Sequence, residues 1–139
     1  MKIHFPVSEC TFLRYFIPVA IEAKGRGHDP VFSFHRSNKY SDPHVPVNKK
    51  YCDYMLKHYG FGVDNTGDVT ICIEGVKAND SSVNYALTYM YDFFDSYKNY
   101  INKVNHVVFP SEYFAKVSGC LSDKNLYFVD ANKSKIIQY

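Results

Sequence analysis

The first 34 residues contain two short apolar segments separated by one amphipathic segment, and this arrangement restricts the fold more than any other feature of the sequence. The apolar segments are residues 2–7 and 30–34. Between them, apolar side chains recur at helical spacing from Phe12 to Ile21, which predicts a helix. A strand, a helix and a strand in so short a stretch form a βαβ unit, in which the strands are parallel and the crossover is right-handed.

The two ends of this predicted helix carry recognisable signals. Ser8 and Thr11 are candidate N-caps. Residues 25–28, Gly-Arg-Gly-His, supply glycines for the left-handed conformation that closes a helix, and positive charge near its negative end. Pro18 removes one backbone donor, so we expect either a kink there or a regular helix that begins near Tyr15.

The rest of the chain continues the alternation of strands and helices. Apolar runs predict strands at residues 68–75, 105–110 and 125–129, and helical spacing predicts helices at residues 47–60, 83–104 and 111–119 and from residue 131 onward. The sequence therefore predicts an α/β fold with a doubly wound, mainly parallel five-stranded sheet and helices on both faces. We expect residues 1–139 to form one Rossmann-like domain.

Composition and charge exclude several classes of protein. The 16 basic and 14 acidic residues give a net charge of +2 without a basic stripe, so no nucleic-acid partner is expected. No apolar run approaches the roughly 18–20 residues of a membrane span. The four cysteines form no CxxC pair, and the sequence shows no signal-peptide pattern, which favours a cytoplasmic protein without a disulfide framework.

In open parallel sheets, ligands bind outside the carboxyl ends of the strands, where the strand order reverses. Glu9 follows a predicted strand and Glu74 lies at the carboxyl end of another, so either carboxylate is a candidate general base. A first-turn acid that the helix dipole stabilises is the other interpretation of Glu9. His35 and Arg36 follow the second strand, where they suit an anion or a sugar hydroxyl, or are simply polar residues that leave the sheet.

Several common sites are not predicted. The loop after the first strand, residues 7–11, lacks glycine, so it is neither a G-x-G-x-x-G fingerprint nor a P-loop. The six histidines form no HxxxH or HxH pair, so no metal site is expected. Cys10 lies at a helix start, which suits a nucleophile, but no base is near in sequence. The tyrosines of residues 85–101 are interpreted as part of an amphipathic helix rather than as a stacking platform.

The opening sequence, MKIHFPVSE through FLRYFIPVAIEAKGRGHDPVFSF, resembles the N-terminal βαβ unit of glycosyltransferases of the GT-B fold. Pro18 and the Arg-Gly-His of residues 26–28 match that family's pattern in order and spacing. The subgroup it resembles most includes polysaccharide and CDP-glycerol transferases and UDP-N-acetylglucosamine 2-epimerase-like proteins. The segment HVVFPSEYFAK followed by NLYFVDANKSKI is similar to their later strand–helix–strand segment.

The resemblance implies the acceptor-side domain of a nucleotide-sugar-dependent glycosyltransferase, in glycan or polysaccharide synthesis. Such enzymes have a second domain that binds most of the donor. The chain would therefore be part of a longer chain, one subunit of a split enzyme that pairs with a donor-binding subunit, or an inactive relative. The donor is then a co-substrate, and no further cofactor is expected.

The same resemblance assigns roles to individual residues. Glu9 or Glu74 would be the catalytic base, and the residues that face a sugar or polyol acceptor would be Ser8, Thr11, His35, Arg36 and Ser111. Two alternatives remain: a fragment of a sugar-nucleotide 2-epimerase, and a non-catalytic flavodoxin-like or receiver-like binding domain. Glu9 and Glu74 are few acids for a receiver, and residues 7–11 are a short phosphate loop for a flavodoxin.

Overall fold

The computed structural model describes residues 1–35, 49–73, 77–88, 103–109 and 125–128. They form strands β1 (Lys2–Val7), β2 (Asp29–Phe34), β3 (Gly62–Val63), β4 (Val69–Ile73), β5 (Val83–Leu87), β6 (His106–Phe109) and β7 (Asn125–Phe128), and helices α1 (Leu13–Gly25) and α2 (Lys49–Tyr59). The strands make one seven-stranded sheet in the order β3-β2-β1-β4-β5-β6-β7. Every neighbouring pair is parallel, which confirms the predicted α/β fold with a parallel sheet.

The N-terminal βαβ unit forms as predicted. β1 pairs with β2 in parallel from Lys2 opposite Asp29 to Val7 opposite Phe34. Between them, a 3-10 turn (Cys10–Phe12) leads directly into α1, which contains Pro18 in its interior and continues to Gly25. Pro18 lies on the exposed side of the helix.

A glycine closes α1, as the sequence indicates. Gly27 has a φ of 80°, a conformation that other residues rarely adopt. The N–H of Gly27 donates to the Lys24 carbonyl at 3.0 Å, and the N–H of His28 donates to the Ala23 carbonyl at 3.0 Å. This pair of bonds is the Schellman arrangement, and it turns the chain straight into β2.

The prediction of five strands is wrong, because β3 and β5 are additional strands. The sequence predicts that residues 83–87 begin a helix, yet they are β5 and pair with β4 and β6 on both sides. Val83, Tyr85 and Leu87 alternate with Asn84 and Ala86, so the segment fits a strand period as well as a helical one. Hydrogen bonding to β4 on one side and β6 on the other selects the strand over the helix, since an isolated helical turn has no such partners.

The main core lies between one face of the sheet and both described helices. Phe5 is fully buried, with ring centroids 5.4 Å from Phe16 of α1 and 5.0 Å from Phe32 of β2. Cys52 and Leu56 of α2 belong to the same cluster. α1 and α2 therefore cover the same face. The further helices predicted at residues 111–119 and from residue 131 lie outside the described residues.

The opposite face has a smaller apolar cluster over β4, β5 and β6. Its members are Cys72, Ala86, Val104, Val107 and Phe109. On β1, β2 and the start of β4 the same face carries polar residues. None of the helices in the described ranges has the length and apolar character needed to cross a membrane.

Candidate functional site

The strand order reverses at β1, which sets where a ligand site would lie. From β1 the chain adds β2 and β3 on one side, and β4 to β7 on the other. The carboxyl ends of β1 and β4 therefore flank the crevice in which open α/β sheets bind ligands. Ser8 and Glu9 follow β1 directly, whereas the residues that follow β4, 74–76, are outside the described ranges.

Three of the predicted site residues lie at the start of the helical segment after β1. Ser8 is buried, with 7% of its surface exposed. Glu9 has extended backbone, and its carbonyl accepts the Phe12 N–H at 3.0 Å. Its carboxylate makes no capping bond to this turn, and Oε2 accepts the Thr11 hydroxyl at 3.3 Å. Glu9 therefore does not act as a side-chain cap, and its carboxylate stands at the edge of the sheet.

His35 extends the pairing of β1 and β2 beyond the ends of both strands. Its backbone N–H donates to the Val7 carbonyl at 2.8 Å, which fixes His35 next to the point where Ser8 leaves β1. His35, whose side chain is half-buried, thus lies at the same carboxyl edge of the sheet as Ser8 and Glu9. The backbone of His35 is therefore next to the start of the Ser8–Glu9 segment, at the edge where open parallel sheets bind ligands.

From His35, a series of hydrogen-bonded polar side chains crosses the face of the sheet opposite α1 and α2. His35 Nε2 lies 2.7 Å from the Ser33 hydroxyl, which lies 2.7 Å from Nε2 of His4. Nδ1 of His4 lies 3.3 Å from the hydroxyl of Thr70, and that hydroxyl lies 2.7 Å from the hydroxyl of Ser82. This series of polar side chains runs through β2, β1 and β4 and ends beside β5.

Each hydroxyl in this series has one hydrogen, so a series in which all donors point the same way lets each hydroxyl both accept and donate one bond. In one arrangement, Nε2–H of His35 donates to Ser33, and the direction continues to Ser82, which donates to the Asn79 carbonyl at 3.3 Å. In the other arrangement, the bonds between Ser82 and His35 reverse and Ser82 no longer donates to Asn79, because a carbonyl oxygen can only accept. Nδ1 of His35 is an acceptor in the first arrangement and a donor in the second, so His35 can meet a ligand hydroxyl in either sense.

The two histidines are held in their neutral forms. Burial and, to a smaller extent, the nearby His35 lower the pKa of His4 from 6.5 to about 4, while Asp64 opposes both effects. Burial also lowers the pKa of His35, and the positive charge of Lys77 acts in the same direction. At neutral pH the imidazole of His35 is therefore available as a base or as a hydrogen-bond acceptor.

An ion pair at the opposite edge of the sheet has a structural role. Lys2 Nζ lies 2.8 Å from Asp64 Oδ2, and the Thr66 N–H and hydroxyl both donate to Asp64 Oδ1. The hydrogen bond with Lys2 and those from Thr66 lower the pKa of Asp64, while the same carboxylate raises the pKa of Lys2. This pair joins β1 to the loop before β4, away from the crevice.

The remaining predicted site residues cannot be placed in this arrangement. Arg36, Glu74 and Ser111 lie outside the described residues, so their roles stay predictions. The sequence interpretation missed His4, Ser33 and Thr70. Each is a polar residue between two apolar residues of a strand, and that break in the apolar run is the signal that could have identified them.

A metal cluster and a glycine-containing phosphate turn are both absent from the residues that the structure describes. No group of three or more His, Cys, Asp or Glu side chains in those ranges is placed to hold a metal ion. The turn after β1 has no glycine that would let a pyrophosphate approach the backbone. Comparison of the chain with protein-family models, curated proteins and solved structures gave no match.

Proposed function

We propose that this domain binds a sugar or polyol hydroxyl at the carboxyl ends of β1 and β2, as the acceptor-side half of a nucleotide-sugar-dependent glycosyltransferase. The proposal joins the resemblance of residues 1–34 to the GT-B family with the strand order β3-β2-β1-β4-β5-β6-β7. The first six strands of that order follow the doubly wound Rossmann arrangement. Because folds of this kind support many functions, the proposal depends on the residues at the site.

The observation that carries the proposal is the position of His35 at the carboxyl edge, where its backbone N–H bonds to Val7 directly before Ser8 and Glu9 and burial keeps its imidazole neutral. In glycosyl transfer, an acceptor hydroxyl attacks the anomeric carbon, the bond from that carbon to the nucleoside diphosphate breaks, and the hydroxyl loses its proton to a base. The Glu9 carboxylate and the His35 imidazole both stand at this edge and both can accept a proton. Glu74, the other acid expected from the sequence, remains a candidate for the same role.

The domain alone provides the first test. We expect a titration of isotope-labelled protein with N-acetylglucosamine or glycerol to shift the backbone amide signals of residues 8–11 and 35. The variant His35→Gln should weaken these shifts, whereas His58→Gln, an exposed substitution in the last turn of α2, should leave them unchanged. Shifts confined to other parts of the chain, or no shifts at high ligand concentration, would exclude an acceptor site at this edge.

Reconstitution with a donor-binding domain provides the second test. We expect Glu9→Gln, Glu74→Gln or His35→Gln to lower kcat by roughly 100-fold or more if the substituted residue is the base. Full activity in all three variants would contradict the proposal that one of these residues is the catalytic base. Release of free nucleotide without sugar transfer would instead favour the 2-epimerase alternative, and purified protein with a flavin spectrum would favour the flavodoxin-like alternative.

A further inference from the structure

Two cysteines that are far apart in the sequence meet beside the candidate site. Cys10 opens the 3-10 turn after β1, and Cys52 lies near the start of α2. Their Sγ atoms are 3.7 Å apart, although the residues are separated by 42 positions in the chain, and one thiol donates a hydrogen bond to the other. Neither is in a disulfide. The fold therefore places two thiols in contact.

The two thiols differ in their access to solvent. Cys52 is fully buried, whereas Cys10 is only partly buried. Burial is the main reason that the pKa of Cys52 is raised to about 12, and the hydrogen bond with Cys10 and the nearby charges of Cys10 and Asp53 contribute in the same direction. Cys52 is thus a protonated thiol at neutral pH. A reagent from solvent reaches Cys10 first, because thiol exchange needs access as well as a thiolate.

We propose that Cys10 and Cys52 form a site of reversible disulfide modification, with a low-molecular-weight disulfide such as oxidised glutathione as the co-reactant. Cys10, as its thiolate, attacks one glutathione sulfur, which breaks the glutathione S–S bond and releases one glutathione thiol. Cys52 then loses its proton and attacks Cys10 Sγ, which releases the second glutathione. The two cysteines are oxidised, and one oxidised glutathione is reduced to two thiols.

The geometry allows the second step without unfolding. A disulfide needs an S–S distance of about 2.05 Å, so the two sulfurs must approach by roughly 1.7 Å from their 3.7 Å separation. The new bond would join the residue after Glu9 to α2, which follows β2 through residues 35–48. Closing so long a loop constrains the unfolded chain, so the oxidised protein should also be the more stable form.

The proposal is tested by incubating the folded full chain with oxidised glutathione and quantifying thiols after denaturation. The sequence has four cysteines, and we expect the reactive thiols to fall from four to two. Mass spectrometry should show the loss of two hydrogens and a peptide in which Cys10 is linked to Cys52. Dithiothreitol should restore all four thiols, and the oxidised form should melt several degrees higher than the reduced form.

Single variants separate the two chemical steps. Cys52→Ala should trap the intermediate, so that Cys10 retains one glutathione, whereas Cys10→Ser should leave Cys52 unmodified in the folded protein. Cys72→Ala is the matched control, because Cys72 is also buried but lies on the opposite face of the sheet, and it should form the disulfide normally.

Three results would overturn the proposal. These are a wild-type protein that stops at the glutathione adduct, a disulfide that includes Cys72 or Cys120, and no change in thiol content. If Cys52→Ala does not fold, peptide mapping of the oxidised wild-type protein and the behaviour of Cys10→Ser still decide the question.

Discussion

Asn84 shows how much one buried polar side chain contributes to this fold. It is 2% exposed, and its Nδ2 lies within 3.0 Å of the carbonyl oxygens of Asn79, Ser82 and Lys103. Its Oδ1 accepts the Asn79 N–H at 2.9 Å. The side chain thus satisfies backbone groups of the turn before β5 and one carbonyl of the segment before β6.

Removing these bonds should be costly, because the buried backbone groups would have no replacement partners. We expect Asn84→Ala to lower the free energy of unfolding by about 3 kcal/mol or more, measured by urea denaturation. Asn105→Ala is the comparison, since the exposed Asn105 side chain accepts one hydrogen bond, from the Asn84 N–H, and its loss should cost only about 1 kcal/mol. Equal effects in the two variants would contradict the role given to Asn84.

At the scale of the secondary-structure elements, the loop between β3 and β4 packs closely on β1, and this contact depends on a single glycine. A Cβ atom on Gly67 would lie 2.8 Å from His4 Cβ, 2.9 Å from the His4 nitrogen and 2.9 Å from the Val69 carbonyl oxygen. Two of these three atoms belong to backbone, so no side-chain rotation relieves the overlap. The close packing of this loop on the central strand therefore requires glycine for its size.

Gly67→Ala should consequently push the loop away from His4 and lower stability by about 1–3 kcal/mol. Gly25, the last residue of α1, provides the opposite case, because nothing lies within 4 Å of an added Cβ and its φ is not positive. Gly25→Ala should raise stability by up to about 1 kcal/mol, since alanine favours helix more than glycine does. Thermal or urea unfolding of the two variants checks both signs, and a neutral Gly67→Ala would contradict the close approach.

At the scale of the whole molecule, the buried His4 links folding to pH. It connects β1 to β2 through Ser33 and to β4 through Thr70, and it is neutral in the folded protein. In the unfolded chain the pKa returns to about 6.5, so between about pH 6.5 and 4 the unfolded state binds more protons than the folded state. Stability is therefore full above pH 6.5 and falls as the pH decreases towards 4.

The loss over this range should be on the order of 3 kcal/mol from His4, and His35 should add to it because its pKa is shifted in the same direction. Urea unfolding between pH 7.5 and 4 measures the slope. His4→Asn should flatten the slope, whereas the buried but non-titrating Ile3→Val should lower stability equally at every pH. A His4→Asn variant with the wild-type slope would contradict this assignment.

Local sequence patterns determined those elements for which only one type of secondary structure fits the pattern. The apolar run of residues 2–7, the amphipathic segment after it and the glycines of residues 25–28 specify β1, α1 and the turn into β2 without help from the rest of the chain. The parallel direction of the sheet follows from the short βαβ connection. These features depend on backbone sterics and on hydrophobic spacing, which act over a few residues.

Tertiary structure decided what local patterns leave open. Residues 83–87 fit two periods, and pairing with β4 and β6 selects the strand. The approach of Cys10 to Cys52 and the chain from His35 through Ser33 and His4 to Thr70 depend on which strands become neighbours and on where α2 packs. That arrangement is set by burial of the core cluster around Phe5, which joins β1, β2 and β4 to α1 and α2. Contacts between residues distant in sequence arise only when such a core forms, so no local pattern in the sequence specifies them.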